Sequence, residues 1–159
     1  MEATVVGALS ESRVREFLIA ERVARLATAD HTGSTHAVPL CFWFDGSRFY
    51  FVIDEKPKSA SGMRLKRMRN ISENPRVALV IDHYEDDWAQ LGYVMIRGVA
   101  RVVDNDREYM LVLRNLRDKY RQYRDMALSP DRNPIVRIDP ERVNVWGARF
   151  GSVASGTSL

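Results

Sequence analysis

The 159-residue chain has one cysteine, Cys41, and three dispersed histidines, His31, His36 and His83. A single thiol excludes an internal disulfide framework and a cysteine-rich metal centre. Histidines this far apart show no metal-ligand spacing, so no metal site is expected. No apolar run approaches the ~18 residues of a membrane span. The opening MEATVVGALSES has no basic segment ahead of an apolar one, so no secretory leader is expected and the chain reads as cytoplasmic. Also missing are a glycine-rich phosphate loop, a nucleophile elbow and an HExxH pair. Catalytic residues are therefore left unassigned.

What is present is a globular composition, 45% hydrophobic and 28% charged. The length fits one domain that buries roughly 70% of its unfolded surface. The formal net charge of +3 conceals an asymmetry. Lys56, Lys58, Arg64, Lys66, Arg67, Arg69 and Arg76 stand against one acid, Glu73, giving a window of +6 in a chain whose other residues sum to −3. Asp82, Glu85, Asp86 and Asp87 follow directly. This polarity fits a surface for a small anion better than a nucleic-acid face, and neither nucleic acid nor membrane is expected as a partner.

The spacing predicts a helix from Ser10, as N-cap, to Arg22. Strands are expected at Val23–Ala29, His36–Asp45 and Arg48–Ile53, with Asp45-Gly46 as a hairpin turn. Pro39 makes the second of these an edge or bulged strand. A helix over Met63–Ser72 presents Leu65, Met68 and Ile71 and ends at Asn74-Pro75. Strands follow at Arg76–Asp82, apolar enough for burial on both faces, and at Tyr93–Val103, where Gly98 marks a bulge or bend. The longest helix is expected over Asp104–Met126, capped by Asp104 or Asn105. A last strand over Ile135–Val145 is interrupted at Asp139-Pro140. Six or more strands with hairpin spacing and about three helices make the chain mainly β with helices (α+β), an antiparallel barrel rather than a doubly wound sheet. Residues 1–9 read as an N-terminal extension, 10–149 as the single domain and 150–159 as a flexible tail.

Lys58 and Ser59 after one strand, with Lys66, Arg67, Arg69 and Asn70 on the next helix, are residue types that converge on phosphate. Arginine supplies a bidentate fork, lysine a point charge and serine a neutral hydrogen bond. A solvated cationic helix face would have the same composition. Trp88, behind three acids in a loop, is placed to cover a ligand or seal a subunit contact.

The ordered set RVARLATAD, HTGSTHAVPLCFWFDG and SRFYFVIDEKPKS, then RLKRMRNISENPRVALVIDHYEDDW and VMIRGVARVV, resembles the pyridoxamine 5′-phosphate oxidase-related flavin-binding superfamily from about Val14 to Trp146. Its KPKS…LKRMRNISENPRVALVIDHYEDDW stretch is most similar to a branch of coenzyme F420-dependent proteins. The resemblance implies an FMN-binding-like split β-barrel, a homodimer with one cofactor in each of two interface clefts, and a small-molecule substrate. The implied cofactor is F420 or, alternatively, FMN. It places Ala37, Val38 and Pro39 beside the tricyclic ring, Lys58, Ser59, Lys66, Arg67, Arg69 and Asn70 around the phosphate, and Trp88 in the interface loop. Gly92 stands where the resemblance expects a bulkier aromatic residue. The expected activity is F420-dependent hydride transfer to a small unsaturated or heteroaromatic substrate. The alternatives are an FMN-binding oxidase or reductase and a non-enzymatic F420- or flavin-binding protein.

Overall fold

A computed structural model describes residues 4–54 and 65–151. Helix α1 (Val5–Ser10) starts where Thr4 accepts a hydrogen bond from the Gly7 N–H at 2.9 Å. Ser10 does not cap the following helix, because its hydroxyl donates back to the Val6 carbonyl at 2.6 Å. Glu11 is extended, so the single expected helix is two, α1 and α2 (Ser12–Ala20). The stretch read as an extension thus carries a helix whose Ala8 and Leu9 are buried in the core. At the other end Phe150, in the expected tail, is buried edge-on against Phe17 with centroids 5.1 Å apart. Residues 152–159 lie outside the described residues.

Seven strands form one antiparallel sheet: β1 (Ala24–Ala29), β2 (Thr35–Leu40), β3 (Trp43–Phe44), β4 (Phe49–Val52), β5 (Arg76–His83), β6 (Gly92–Val102) and β7 (Ile135–Trp146). Their spatial order is β2-β1-β5-β6-β7-β4-β3. β2 and β3 therefore sit at opposite edges, although only Cys41 and Phe42 separate them in the chain. Only a sheet curled upon itself can satisfy both placements, and the fold is the expected split barrel. The strand expected over His36–Asp45 is accordingly broken in two. At the break, the Tyr120 hydroxyl accepts from the Phe42 N–H at 3.0 Å and lies 3.1 Å from the Phe42 carbonyl, replacing the lost ladder bonds.

The concave face is filled by alternate residues: Leu26 of β1, Leu79 and Ile81 of β5, Val94 and Ile96 of β6, and Val143 and Val145 of β7. Each fully buried aliphatic of this kind contributes roughly 1.5–3 kcal/mol. α2 adds Val14, Phe17 and Leu18, and α3 (Lys66–Glu73) adds Met68 and Ile71. A smaller cluster lies under α4 (Asp106–Lys119), where Tyr109, Val112, Leu113 and Leu116 meet Tyr50, Val52 and Ile135. Asn105 caps α4 by accepting from the Glu108 N–H at 3.0 Å. The helix stops at Lys119, and a 3-10 turn at Arg121–Arg124 takes up most of the remaining stretch expected to be helical.

Burial of β5 on both faces is not observed. Val77, Leu79 and Ile81 point inward, whereas Ala78 and Val80 are only half-buried. No other element of the described chain covers the convex side there. The irregularity expected at Gly98 is present: Arg97 pairs with Arg142 and Gly98 with Pro140, leaving Glu141 as the extra residue of a β-bulge. A Cβ on Gly98 would fall 2.2 Å from the Asp139 carbonyl oxygen, so the approach of the two strands requires glycine.

Candidate functional site

The expected site residues fall at three places. Ala37, Val38 and Pro39 lie on β2, which pairs with β1 alone and so leaves one edge of its backbone open. Ala37 and Pro39 face outward with Thr35, and Val38 packs toward the core. Thr35, Ala37 and Pro39 are compact, so a planar group can approach the edge amides.

α3 stands beside the β1–β2 turn. That turn is organised by Asp30, whose carboxylate accepts from the Thr32 hydroxyl at 2.6 Å and from the Thr32 and Ser34 N–H groups at 2.9 and 3.0 Å. The Thr32 hydroxyl and these backbone donors hold Asp30 at about 2, well below the usual carboxylate range. The ionised carboxylate lies 3.5 Å from Lys66 Nζ, tethering the first turn of α3 to the strand turn. At the far end of the helix Glu73 accepts from the His31 backbone N–H and lies 2.9 Å from His31 Nδ1, which raises His31 and lowers Glu73.

The four α3 residues are not equivalent. Lys66 is half-exposed and Arg69 exposed, whereas Arg67 and Asn70 are buried. Asn70 donates to the Thr28 hydroxyl at 3.0 Å, fixing the helix to β1. The Asn70 carbonyl oxygen and His36 Nδ1 are buried without a hydrogen-bond partner. His36 pairs with Thr28 across the β1–β2 ladder and Asn70 bonds to the same threonine, so both unpartnered atoms belong to neighbours of Thr28. Sequence reading missed this juxtaposition because it depends on strand register. The N-cap Leu65 makes no side-chain cap bond, so the start of α3 is not closed by its own cap residue. Lys58 and Ser59 lie outside the described residues.

Trp88 is elsewhere. It occupies a 3-10 turn, Trp88–Gln90, between β5 and β6, with Asp87 accepting from the Ala89 N–H at 3.1 Å. It is 73% exposed, and none of the described residues covers it. α3 enters β5 at Arg76, whereas Trp88 follows the His83 end, roughly 25 Å away along an eight-residue strand. One chain therefore brings α3 and β2 together and leaves Trp88 apart. Gly92, next to this turn, is required by packing: a Cβ there would meet the Phe150 ring at 2.6 Å and Arg149 at 2.7 Å.

Architecture and site define a split-barrel domain with an open edge strand beside a cationic helix. The sequence profile described as pyridoxamine 5'-phosphate oxidase matches residues 10–147, and the chain belongs to that family. It is 27% identical over 141 residues to the 5a,11a-dehydrotetracycline/5a,11a-dehydrooxytetracycline reductase of Streptomyces rimosus, covering 88% of this chain and 84% of the relative. Among solved structures, a conserved hypothetical protein of Mycobacterium tuberculosis superposes with a TM-score of 0.71 at 20% identity, covering 89% of this chain and 86% of that one. A protein described as an F420 reductase superposes with a TM-score of 0.57 at 20% identity, covering 82% and 94%. Among the described residues no helix is long and apolar enough to cross a membrane, and no group of three or more His, Cys, Asp or Glu could hold a metal.

Proposed function

We propose that the protein is a flavin-type oxidoreductase that uses F420 to reduce a small unsaturated or heteroaromatic molecule, acting as a homodimer with the cofactor at the subunit interface. The observation that carries this reading is the open β2 edge beside the uncapped, cationic start of α3. A strand edge offers alternating N–H and C=O groups, the complement of the pyrimidine edge of a flavin or deazaflavin ring. The N–H groups of the first α3 turn, with Lys66 and Arg69, suit a phosphodiester. The orphaned atoms of His36 and Asn70 suit the hydroxyl donors of a ribityl chain. The residues present therefore fit such a group, and Ala37, Val38, Pro39, Lys58, Ser59, Lys66, Arg67, Arg69, Asn70 and Trp88 are our assignment for it.

F420 is favoured over FMN because its phosphodiester and oligoglutamate tail carry more negative charge over a greater length, matching a window of +6. The relatedness to a reductase of dehydro compounds supports the reaction class. When bound, the cofactor would supply a hydride. The chain's task is to orient ring and acceptor face to face and to keep water away, for which the exposed Trp88 of a second copy is suited.

The decisive test is calorimetric and fluorescence titration of the full chain with F420 and with FMN. Saturable F420 binding at micromolar concentration is the expected result. FMN retained through purification, with no F420 binding, would shift the reading to an FMN enzyme. Failure of both to bind would overturn it.

A further inference from the structure

The convex face of the sheet carries a cross-strand row that the proposed site does not use beyond its first member. In register, Ala37 of β2 stands opposite Ala27 of β1, Ala27 opposite Ala78 of β5, Ala78 opposite Arg97 of β6, and Arg97 opposite Arg142 of β7. Three alanines thus pave a shallow floor leading from the ring strand to two directly opposed arginines. Arg76, two residues before Ala78 on the same face, closes the group. These arginines and Glu141 border adjoining spaces of about 310 and 370 Å³, the first floored by Ala27, Ala78 and Gly98.

The charge of this corner is uncompensated. Like charges directly opposite across an antiparallel ladder destabilise it. Glu141, the bulged residue, reaches Arg76 at 3.3 Å. Among the described residues no carboxylate lies within ion-pair distance of Arg97 or Arg142. Three guanidinium groups against one carboxylate leave a local +2 at the end of an apolar floor, an arrangement that an anion would stabilise. Forked donors match the two oxygens of a carboxylate or phosphate. The floor, lacking any side chain larger than a methyl group, admits a flat body against the sheet.

We propose that Arg76, Arg97 and Arg142 form a binding site for the carboxylate or phosphate end of a flat ligand whose body lies on the Ala27–Ala78 floor. The choice of occupant rests on the functional reading above. Strand spacing of about 4.8 Å puts the floor one strand away from the ring strand. The anion therefore belongs either to the hydride acceptor, making it a planar carboxylate or phosphate, or to the tail of the cofactor itself.

The test uses the full chain, wild type and Arg97→Ala/Arg142→Ala, titrated with inorganic phosphate, cinnamate and the neutral cinnamamide. Phosphate and cinnamate should bind at millimolar concentration, with cinnamamide roughly tenfold weaker or worse, and the double variant should lose about tenfold for each anion. Equal binding of cinnamate and cinnamamide, no binding of either anion, or an unchanged double variant would overturn the site. So would a change in sedimentation of the double variant, which would assign the arginines to a subunit contact. The two sources separate in a second arm. Loss of F420 affinity with unchanged affinity for the tail-less deazaflavin alcohol identifies the tail. Unchanged cofactor affinity with a raised KM for an anionic acceptor identifies the substrate. Anion binding that survives when neither F420 nor FMN binds would leave this site standing and remove the functional reading.

Discussion

Lys119 ends α4 with its Nζ 3.8 Å from the centroid of the Phe42 ring. Burial, and then the neighbouring Arg22 guanidinium, lowers it to about 8. Between that value and the unfolded lysine value of about 10.4 the folded chain binds fewer protons than the unfolded one, so this residue makes stability rise with pH across that window. Below it the full cost of the buried charge is present. Lys119→Met keeps the apolar stem and removes the charge. At pH 7 the variant should gain on the order of 1 kcal/mol, discounted for the exposed part of the side chain. Its urea-midpoint advantage should shrink toward zero by pH ~10.5, and a difference that stays flat with pH would contradict the assignment. Nothing local marks this lysine. Its ring partner is supplied by a residue 77 positions earlier in the chain, whereas Asn105 as a cap and Gly98 as a bulge were legible because each acts on its own segment.

Among the elements, β1, β5 and β6 alternate between buried and more exposed residues, all four residues of β4 are buried, and α3 follows its apolar stripe. Two of the misread elements break for different reasons, one local and one distant. The helix expected from Ser10 breaks because the hydroxyl of Ser10 serves α1 instead. The strand expected through Asp45 breaks because the barrel turns its corner at Cys41 and Phe42, where Tyr120 supplies the bonds a neighbouring strand would have made. Tyr120→Phe removes those bonds and leaves the buried Phe42 amide without its partner. The loss should be about 1–3 kcal/mol in urea unfolding, with an unchanged m-value. A cost below 0.5 kcal/mol would mean that water substitutes for the hydroxyl. The candidate site was legible in the same divided way. Basic residues on α3 could be read off the sequence, but not that Arg67 and Asn70 turn inward while Lys66 is tethered by Asp30. The paired arginines of β6 and β7 needed the strand register to be seen at all.

At the scale of the whole molecule, the sequence of β5 asks for cover on both sides and the described residues of one chain provide it on one. Val80 and Met95 pair across β5 and β6 on the convex face, and Tyr93 stacks on the 51%-exposed Trp146 with centroids 5.6 Å apart. A second copy over this end of the face would meet the need and would leave the arginine corner at its rim. The native chain should sediment as a dimer. Val80→Lys, on the half-exposed side and outside the proposed cofactor contacts, should sediment as a folded monomer with weakened cofactor affinity. A native chain that remains monomeric at micromolar concentration would exclude this use of the face.

The placement of β4 between β3 and β7 has a bearing on biosynthesis. β4 pairs with β3 on one side and with β7, more than 80 residues later, on the other. Until the last strand has left the ribosome, the Phe49–Val52 ribbon has no second neighbour and the smaller apolar cluster lacks Ile135. A nascent chain that still lacks β7 would expose both at once, so the barrel cannot close before residue 146 has emerged, and the chaperones that meet it earlier will meet an open sheet.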